Sequence, residues 1–264
     1  MDEDIKRLAL KTVEKADKAV RKIYTKDFHK LCKNIGIGAD GTPTTYLDKI
    51  AEDAALSCIE KSDVKVNVLS EEAGDIDFGG EYTFVLDPVD GTRNAYRGIP
   101  FFSVSLAVGK KKVSDIKYAV VKNIPTGDVF VAEKHHGAFL NNKRISVSDY
   151  PSKEIVSSLT LGKNIEPVTQ MLSRKDNVRT LGACSLEMCL VATGALDFYV
   201  AGREYIRVID LAAGTLIVRE AGGFVKNIKG KELDMNFSLH ERTSVVATCT
   251  EDILKSICSS KTKS

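Results

Sequence analysis

Residues 87–92 read DPVDGT and follow directly on an apolar run, YTFVL at residues 82–86. The apolar run predicts a buried strand, which would bring the Asp87 carboxylate to its tip beside a turn. The proline fixes its own φ and favours extended geometry at Asp87. The side chains of Asp87 and Asp90 and the carbonyl of Val89 then aim at one point. Hard oxygen donors on a stiff corner are typical of a Mg²⁺ site.

The same six residues have a plainer interpretation. An isolated Asp-Pro-X-Asp sequence is more often a turn followed by an aspartate that caps a short helix. Two further acidic segments favour the metal interpretation, because SEEAG at residues 70–74 precedes the motif and IDLAAG at residues 209–214 follows it far along the chain. Together the three segments predict a site for divalent metal ions.

Four stretches of the chain resemble the inositol monophosphatase family. They are LSEEAG at 69–74, DPVDGTRNAYRGIPFFSVSLA at 87–107, RTLGACSLEMCLVATGALDFYV at 179–200 and RVIDLAAGTLIVREAGG at 207–223. Within the family, the chain looks most like the archaeal-type enzymes that hydrolyse both inositol 1-phosphate and fructose 1,6-bisphosphate. The resemblance spans nearly the whole chain. It implies a layered αβαβα sandwich, a phosphatase of carbohydrate metabolism and gluconeogenesis, and a homodimer.

The resemblance also implies which residues hold metal. Glu71, Asp87 and the Val89 carbonyl would bind a first Mg²⁺, and Asp87, Asp90 and Asp210 a second, so that Asp87 bridges both ions. Mn²⁺ is an alternative to Mg²⁺. Asp210 also precedes an apolar helical segment, where an aspartate is equally suited as an N-cap. The two roles are compatible.

Three residues match the family's catalytic positions. Thr92 and Asp48 would orient and deprotonate the attacking water, and Glu71 would hold that water from the other side. Without the resemblance, Asp48 is better interpreted as a solvated carboxylate on a helix face. The resemblance further implies a third, weaker metal near Glu71 and Asp48, helped by Asp40.

Phosphate recognition is expected where the metal motif ends. Gly91 and Thr92 open a short helix, whose backbone N–H groups can receive phosphate oxygens, and glycine leaves room for the approach. The resemblance adds residues that face the sugar or its phosphate, namely Asp90, Gly182, Ala183, Cys184 and the segment 201–207.

Two arginines of that segment, Arg203 and Arg207, are candidates for a second phosphate. A guanidinium binds phosphate oxygens in a bidentate way and suits a bisphosphate better than a neutral diol. The plainer interpretation of either arginine is a surface charge. Lys163, which follows a predicted strand, is a weaker candidate.

Composition excludes several classes of function. The 264 residues carry 38 Lys and Arg against 36 Asp and Glu, a net charge of +2, so neither nucleic acid nor an anionic membrane is expected as the partner. The first residues are acidic and no long apolar stretch follows, which predicts a cytoplasmic protein. Six cysteines without a CxxC pair or histidines at zinc spacing predict reduced thiols.

Hydrophobic periodicity predicts an α+β domain at residues 1–150 and an α/β domain at residues 151–264. Helices are predicted at residues 2–23 and 44–60. The remaining predicted elements are strands at 64–69, 82–86, 102–108, 113–121 and 128–132, a hairpin turn at 109–112, strands at 155–161 and 197–200, and helices at 166–173, 185–193 and 209–221.

One motif is a decoy. GIGADG at residues 36–41 matches the dinucleotide fingerprint GxGxxG. That fingerprint requires a strand immediately before it, whereas FHKLCK at residues 28–33 is not strand-like. A flexible loop that carries Asp40 over the metals is the better account.

The sequence thus predicts a Mg²⁺-dependent phosphatase for fructose 1,6-bisphosphate and inositol 1-phosphate. An inositol monophosphatase only, or a phosphatase of 3′-phosphonucleotides, are alternatives within the same chemistry. A binding or regulatory relative without activity is the alternative from another class. The complete set of acidic residues and Thr92 argues against it, because a degenerate site usually loses a ligand.

Overall fold

The computed structural model describes residues 1–24, 28–148, 155–160 and 177–259, with the side chains of residues 28, 29, 203 and 259 left out. The helices are α1 (Glu3–Tyr24), α2 (Phe28–Leu31), α3 (Tyr46–Glu60), α4 (Thr92–Arg97), α5 (Cys184–Ala192), α6 (Val208–Glu220) and α7 (Glu251–Ser259). The strands are β1 (Asn34–Ile37), β2 (Pro43–Thr45), β3 (Asn67–Ser70), β4 (Gly74–Ile76), β5 (Thr83–Asp90), β6 (Ser103–Gly109), β7 (Tyr118–Asn123), β8 (Val129–Glu133), β9 (Gly137–Leu140), β10 (Lys143–Ile145), β11 (Val156–Thr160), β12 (Asn177–Arg179), β13 (Phe198–Ile206), β14 (Phe224–Lys226) and β15 (Thr243–Thr248).

These elements stack in five layers. The large sheet has eight strands in the order β10-β9-β8-β7-β6-β5-β3-β4, and the small sheet has five in the order β12-β11-β13-β15-β14. Helices α1 and α3 pack together on one face of the large sheet, α5 and α6 contact both sheets, and α7 packs on β15. The arrangement confirms the predicted αβαβα sandwich.

Helix α1 shows why the outer layer forms. Its apolar residues recur at helical spacing, and Ile5, Leu8, Val13 and Val20 are all buried in the core between the helices and the large sheet. Each such side chain contributes roughly 1.5–3 kcal/mol when fully buried. Acidic residues in the first turn and basic ones in the last complement the helix dipole. The predicted helix at residues 2–23 is confirmed.

The middle layer joins the two halves of the sequence. Nearly every residue of α6 is buried, as expected for a helix covered on both sides. Gly214 lets α5 come close, since a Cβ at that position would lie 2.8 Å from the Cβ of Met188. One core cluster contains Val121 of the large sheet and Val245 of the small sheet. The boundary at residue 150 stays a prediction.

Two predicted segments differ from the structure. Residues 36–41 were expected in a flexible loop, whereas residues 36 and 37 belong to β1, which pairs with β2 in an antiparallel hairpin, and residues 38–41 lie in the connection between the two strands. All four residues of β1 are exposed, so the sequence has no hydrophobic alternation to indicate a strand. A lone antiparallel hairpin also lacks the strand, turn and helix of a dinucleotide site, which supports treating the GxGxxG match as a decoy.

The predicted strand at residues 113–121 starts later than expected. Residues Val113–Asp115 form a 3-10 turn, because the Val113 N–H donates to the carbonyl of Met235 instead of to a neighbouring strand. The hairpin therefore closes across residues 110–117 and not 109–112. Strand β13 also runs further than the predicted 197–200, and the predicted helix at 166–173 lies outside the described residues.

None of the six cysteines, which all lie in the described ranges, forms a disulfide bond, in agreement with the predicted reduced thiols. No helix in the described ranges is long and apolar enough to cross a membrane.

Candidate active site

Strand β5 carries the two central aspartates. It extends to Asp90 instead of ending before Asp87, and its pairing with β6 is irregular between these two residues, where the proline lies. Asp87 is 1% exposed, and its Oδ1 accepts a hydrogen bond of 3.0 Å from the Val89 N–H. The sequence motif thus forms a buried corner within the strand, with both carboxylates on it.

The Asp90 carboxylate is held by the start of α5. It accepts from the Cys184 N–H at 3.2 Å, from the Ser185 N–H at 2.8 Å and from the Ser185 hydroxyl at 2.5 Å. Ser103 lies 2.9 Å from the Ser185 hydroxyl and extends the network. Because Ala183 at the helix start offers no capping side chain, Asp90 caps α5 from the other half of the chain.

A further buried acid, which the sequence analysis missed, shapes the turn that carries Glu71. Glu52 of α3 accepts from the Ser70 hydroxyl and from the backbone N–H groups of Glu72 and Ala73 at 3.3 and 3.0 Å. Glu52 is 1% exposed, so these bonds satisfy a charge that water cannot reach. A single glutamate within a predicted helix has no spacing that marks it as buried, so the sequence did not indicate this role.

Thr92 and Asp48 meet, as the family pattern implies. The Thr92 hydroxyl lies 3.0 Å from Asp48 Oδ1 and 2.8 Å from the Val89 carbonyl oxygen. Asp48 also forms a capping box with Thr45 at the start of α3. Burial raises the pKa of Asp48 despite hydrogen bonds from both threonines. A solvated helix-face carboxylate, the alternative for Asp48, is excluded because the residue is 7% exposed.

The segments expected to face substrate lie next to each other. Gly91 has φ +87°, and a Cβ there would lie 3.0 Å from the Cβ of Ala183. The Asn94 side-chain amide donates to the carbonyls of Phe101 and Leu181, both at 2.7 Å. The second bond holds the residue before Gly182 against α4. Sequence reasoning missed Asn94, because an asparagine in a short helix has no distinguishing signal.

Cys184 contributes backbone and not thiol chemistry. Burial raises the pKa of its thiol well above the usual range, and the negative charges of Asp90 and Asp210 add to the effect. The thiol therefore stays protonated.

Arg207 lies among the acidic residues. Its guanidinium donates to Asp210 through Nη2 at 2.8 Å and Nε at 3.2 Å, and through Nη1 to both Glu71 and Asp40. Burial opposes the charge, but Asp210 and Glu71 outweigh it and raise the pKa of Arg207. The structure thus gives Arg207 three carboxylate partners, and its predicted contact with a second phosphate stays a prediction.

The other two candidates for the second phosphate cannot be placed. The backbone of Arg203 lies in β13, but its side chain is outside the described part, as is the whole of Lys163.

The buried carboxylates repel one another. Burial raises the pKa of Glu71 to about 8, with Arg207 opposing the shift, and raises the pKa of Asp90 to about 7 against the hydrogen bonds from Ser185. Asp87 has a pKa well above its usual range, first from burial and then from the charges of Glu71 and Asp90. Such a group of acids is stable in ionised form only beside a cation.

The donor set fits Mg²⁺. Four carboxylates and one carbonyl supply oxygen donors only, which suit a hard dication better than zinc. Among the residues that the structure describes, no three or more His, Cys, Asp or Glu side chains are already arranged to hold a metal ion. The chemistry of the donors therefore fits the ion.

A pH dependence of stability follows from the raised pKa values. In the folded, metal-free protein Asp90 keeps its proton up to a pKa of about 7, whereas in the unfolded chain it ionises near its ordinary pKa of 3.8. The unfolded state binds fewer protons between these values, so stability falls as pH rises from 4 to 7. Calorimetric melting in EDTA should show this fall, and Asp90→Asn should flatten it. A melting temperature that rises over this range in the wild type would contradict the assignment.

Comparison with known proteins agrees with the sequence resemblance. The profile of the inositol monophosphatase family matches residues 1–262. A fructose-1,6-bisphosphatase of Pyrococcus furiosus is 43% identical over 228 residues, which cover 86% of this chain and 87% of that one. A fructose-1,6-bisphosphatase/inositol-1-monophosphatase of Methanothermobacter thermautotrophicus is 37% identical, with 92% and 91% covered.

Two further matches extend the comparison. A bifunctional NADP phosphatase/NAD kinase of Methanococcus maripaludis is 36% identical over 95% of this chain and 48% of its own length. The solved structure of a Pyrococcus horikoshii protein, described as having similarities to inositol-1 monophosphatase, superposes with a TM-score of 0.84 at 36% identity and covers 98% of both chains. This chain therefore belongs to the inositol monophosphatase family.

Proposed function

We propose that this protein is a Mg²⁺-dependent phosphatase that hydrolyses fructose 1,6-bisphosphate and inositol 1-phosphate with a metal-activated water. Membership of the family makes the chain a phosphatase. The observation that carries the proposal is the convergence of two sets of residues from distant parts of the sequence. Buried carboxylates lie on the β5 corner, and the Thr92 hydroxyl lies 3.0 Å from Asp48 beside them.

The acidic residues divide between two metal positions. Glu71, Asp87 and the Val89 carbonyl would hold one ion, and Asp87, Asp90 and Asp210 the other. Bound ions would activate a water and stabilise the leaving oxygen of the phosphate ester. Phosphate monoester hydrolysis is among the slowest uncatalysed reactions, so it demands stabilisation of this kind. A third, weaker ion near Glu71 and Asp48, helped by Asp40, belongs to the same proposal.

Thr92 and Asp48 are proposed to take the proton of the attacking water. A water that donates to the Thr92 Oγ1 can lose its proton while the threonine hydroxyl donates to Asp48 Oδ1, 3.0 Å away. Asp48 is suited to accept it, because burial raises its pKa toward the range in which a carboxylate is an effective base. Glu71 would hold the same water from the opposite side.

The substrate phosphate is proposed to lie at the start of α4, against the backbone of Gly91 and Thr92, with Asp90 and the segment 182–184 toward the sugar. The network from Asp90 to Cys184 and Ser185 supports this placement, because it joins the β5 corner that carries the proposed metal ligands to the sugar-facing segment.

We also propose that the protein is a cytoplasmic homodimer with a role in gluconeogenesis.

The identity of the substrate is tested with a panel. Phosphate release in Mg²⁺ should be measured with fructose 1,6-bisphosphate, inositol 1-phosphate, a 3′-phosphonucleotide and NADP. The last is included because a relative is named for that activity. The proposal expects the sugar and inositol phosphates to be the better substrates by kcat/KM. Preference for a nucleotide would contradict it, and no release from any of the four would favour a binding protein.

Arg203 should distinguish the two sugar substrates. If it binds the distal phosphate, Arg203→Ala should lower kcat/KM for the bisphosphate by ~10- to 100-fold, the scale of a lost buried ion pair, and leave inositol 1-phosphate nearly unchanged. Both substrates are assayed with one preparation, because a folding defect lowers both together. Equal losses, or none, would remove Arg203 from the distal site.

A further inference from the structure

The proposed chemistry leaves one feature unused, the guanidinium of Arg207 inside the acidic cluster. It bonds at once to Glu71 after β3, to Asp210 in the first turn of α6 and to Asp40 between β1 and β2. Its side chain is 17% exposed. One cation thus joins three segments that are remote in sequence.

The atoms that Arg207 occupies are those that a metal needs. Both oxygens of Asp210 and the Oε1 of Glu71 accept from it. Under the proposed assignment Glu71 belongs to the first metal position and Asp210 to the second. A dication that binds these oxygens has to compete with charged hydrogen bonds from the guanidinium, and the two cations repel each other. Arg207 therefore covers a ligand of each position.

Asp40 connects this contact to the β1–β2 hairpin. Its carboxylate has no exposed surface and accepts from the Thr42 N–H at 2.8 Å as well as from Arg207. Backbone bonds from Ala39 to Glu72 and from Asp40 to Glu71 dock the hairpin turn on the site. The Arg207 guanidinium contacts both Asp40 in this turn and Asp210 in α6, and so connects the turn to the helix.

We propose that Arg207 is a built-in counter-ion, which neutralises the acidic site of the metal-free protein and has to withdraw from Glu71 and Asp210 when metal binds. The inference rests on the proposed metal site. It makes Arg207 a determinant of metal affinity and of the position of the hairpin turn.

The test is Mn²⁺ binding to chelator-stripped protein, followed by the electron paramagnetic resonance signal of the free ion. Arg207→Met removes the competing charge and should lower the Kd for Mn²⁺ by about 10- to 100-fold, the scale of one or two lost charged hydrogen bonds. Arg207→Lys keeps the positive charge but lacks the planar guanidinium that donates to several oxygens at once. It should lower the Kd for Mn²⁺ by a smaller factor. Arg219→Met is the matched control, because Arg219 lies in α6, the helix that begins directly after Arg207, and pairs only with Glu232 and a backbone carbonyl among its described contacts. It should leave Kd unchanged.

The direction of the change distinguishes the proposal from structural damage. A distorted site binds metal more weakly, whereas removal of a competitor makes it bind more tightly. The melting temperature of stripped Arg207→Met should fall, because buried carboxylates lose their counter-ion, and Mn²⁺ should raise it by more than in the wild type. Equal or weaker binding by Arg207→Met overturns the inference and leaves the metal site standing. Binding by neither protein overturns both.

Discussion

Asp87→Asn is expected to lower phosphate release by at least ~10³-fold at saturating Mg²⁺, because it removes the charge proposed to bridge two dications. Asparagine keeps the size of the side chain, and its amide oxygen can still accept from the Val89 N–H as Asp87 does. A loss of activity in Asp87→Asn therefore results from the missing negative charge and not from a change in side-chain shape. Initial rates of phosphate release from fructose 1,6-bisphosphate measure it.

The matched control is Asp63→Asn, an exposed aspartate that follows α3 and lies outside the site. It should keep wild-type activity. Circular dichroism and thermal melting establish that both variants are folded. A rate for Asp87→Asn within a few fold of the wild type would remove the bridging assignment.

Thr92→Ala is expected to lower kcat by about 100-fold or more, the range typical of a lost general-base contribution, with little change in KM. The Thr92 hydroxyl lies between Asp48 Oδ1 and the Val89 carbonyl, so its removal separates the proposed base from the water. An interaction made mainly in the transition state changes kcat and not KM. Steady-state kinetics at saturating Mg²⁺ separate the two constants.

Thr92→Ser retains the hydroxyl and should recover most of the activity. A Thr92→Ala variant whose KM rises while kcat holds would assign Thr92 to ground-state phosphate binding. A serine variant as slow as the alanine variant would mean that the methyl group, through packing of α4, matters more than the hydroxyl.

Local patterns were enough to predict the central strand and the outer helix. The apolar run before Asp87 and the helical spacing of α1 describe faces that are buried in any fold that contains them. The extension of β5 to Asp90 was missed, because a proline and two acids do not look like strand residues. They are tolerated there because the pairing with β6 is irregular between the two aspartates.

The residues that position the site were harder to predict. Glu52, Ser185 and Asn94 each bond to backbone or side chains that lie far away in the sequence. A single buried acid or amide has no period or spacing that marks it, so only the folded chain reveals its partner. The β1–β2 hairpin was missed for a related reason, since its exposed residues bury nothing.

Residue type alone left the partners of Arg207 open. A guanidinium in a segment that faces substrate fits a phosphate, and the sequence analysis weighed that role against a surface charge. The structure places it against Glu71, Asp210 and Asp40. Which anion an arginine meets depends on the tertiary arrangement of α6, β3 and the hairpin.

The most direct test of the central claim is phosphate release from fructose 1,6-bisphosphate by metal-stripped wild-type protein, measured in EDTA and again after excess Mg²⁺, with Asp87→Asn alongside. The account predicts no release above buffer in EDTA, full recovery of the wild type in Mg²⁺ and no recovery of the variant. Undiminished release by the stripped wild type in EDTA would contradict it.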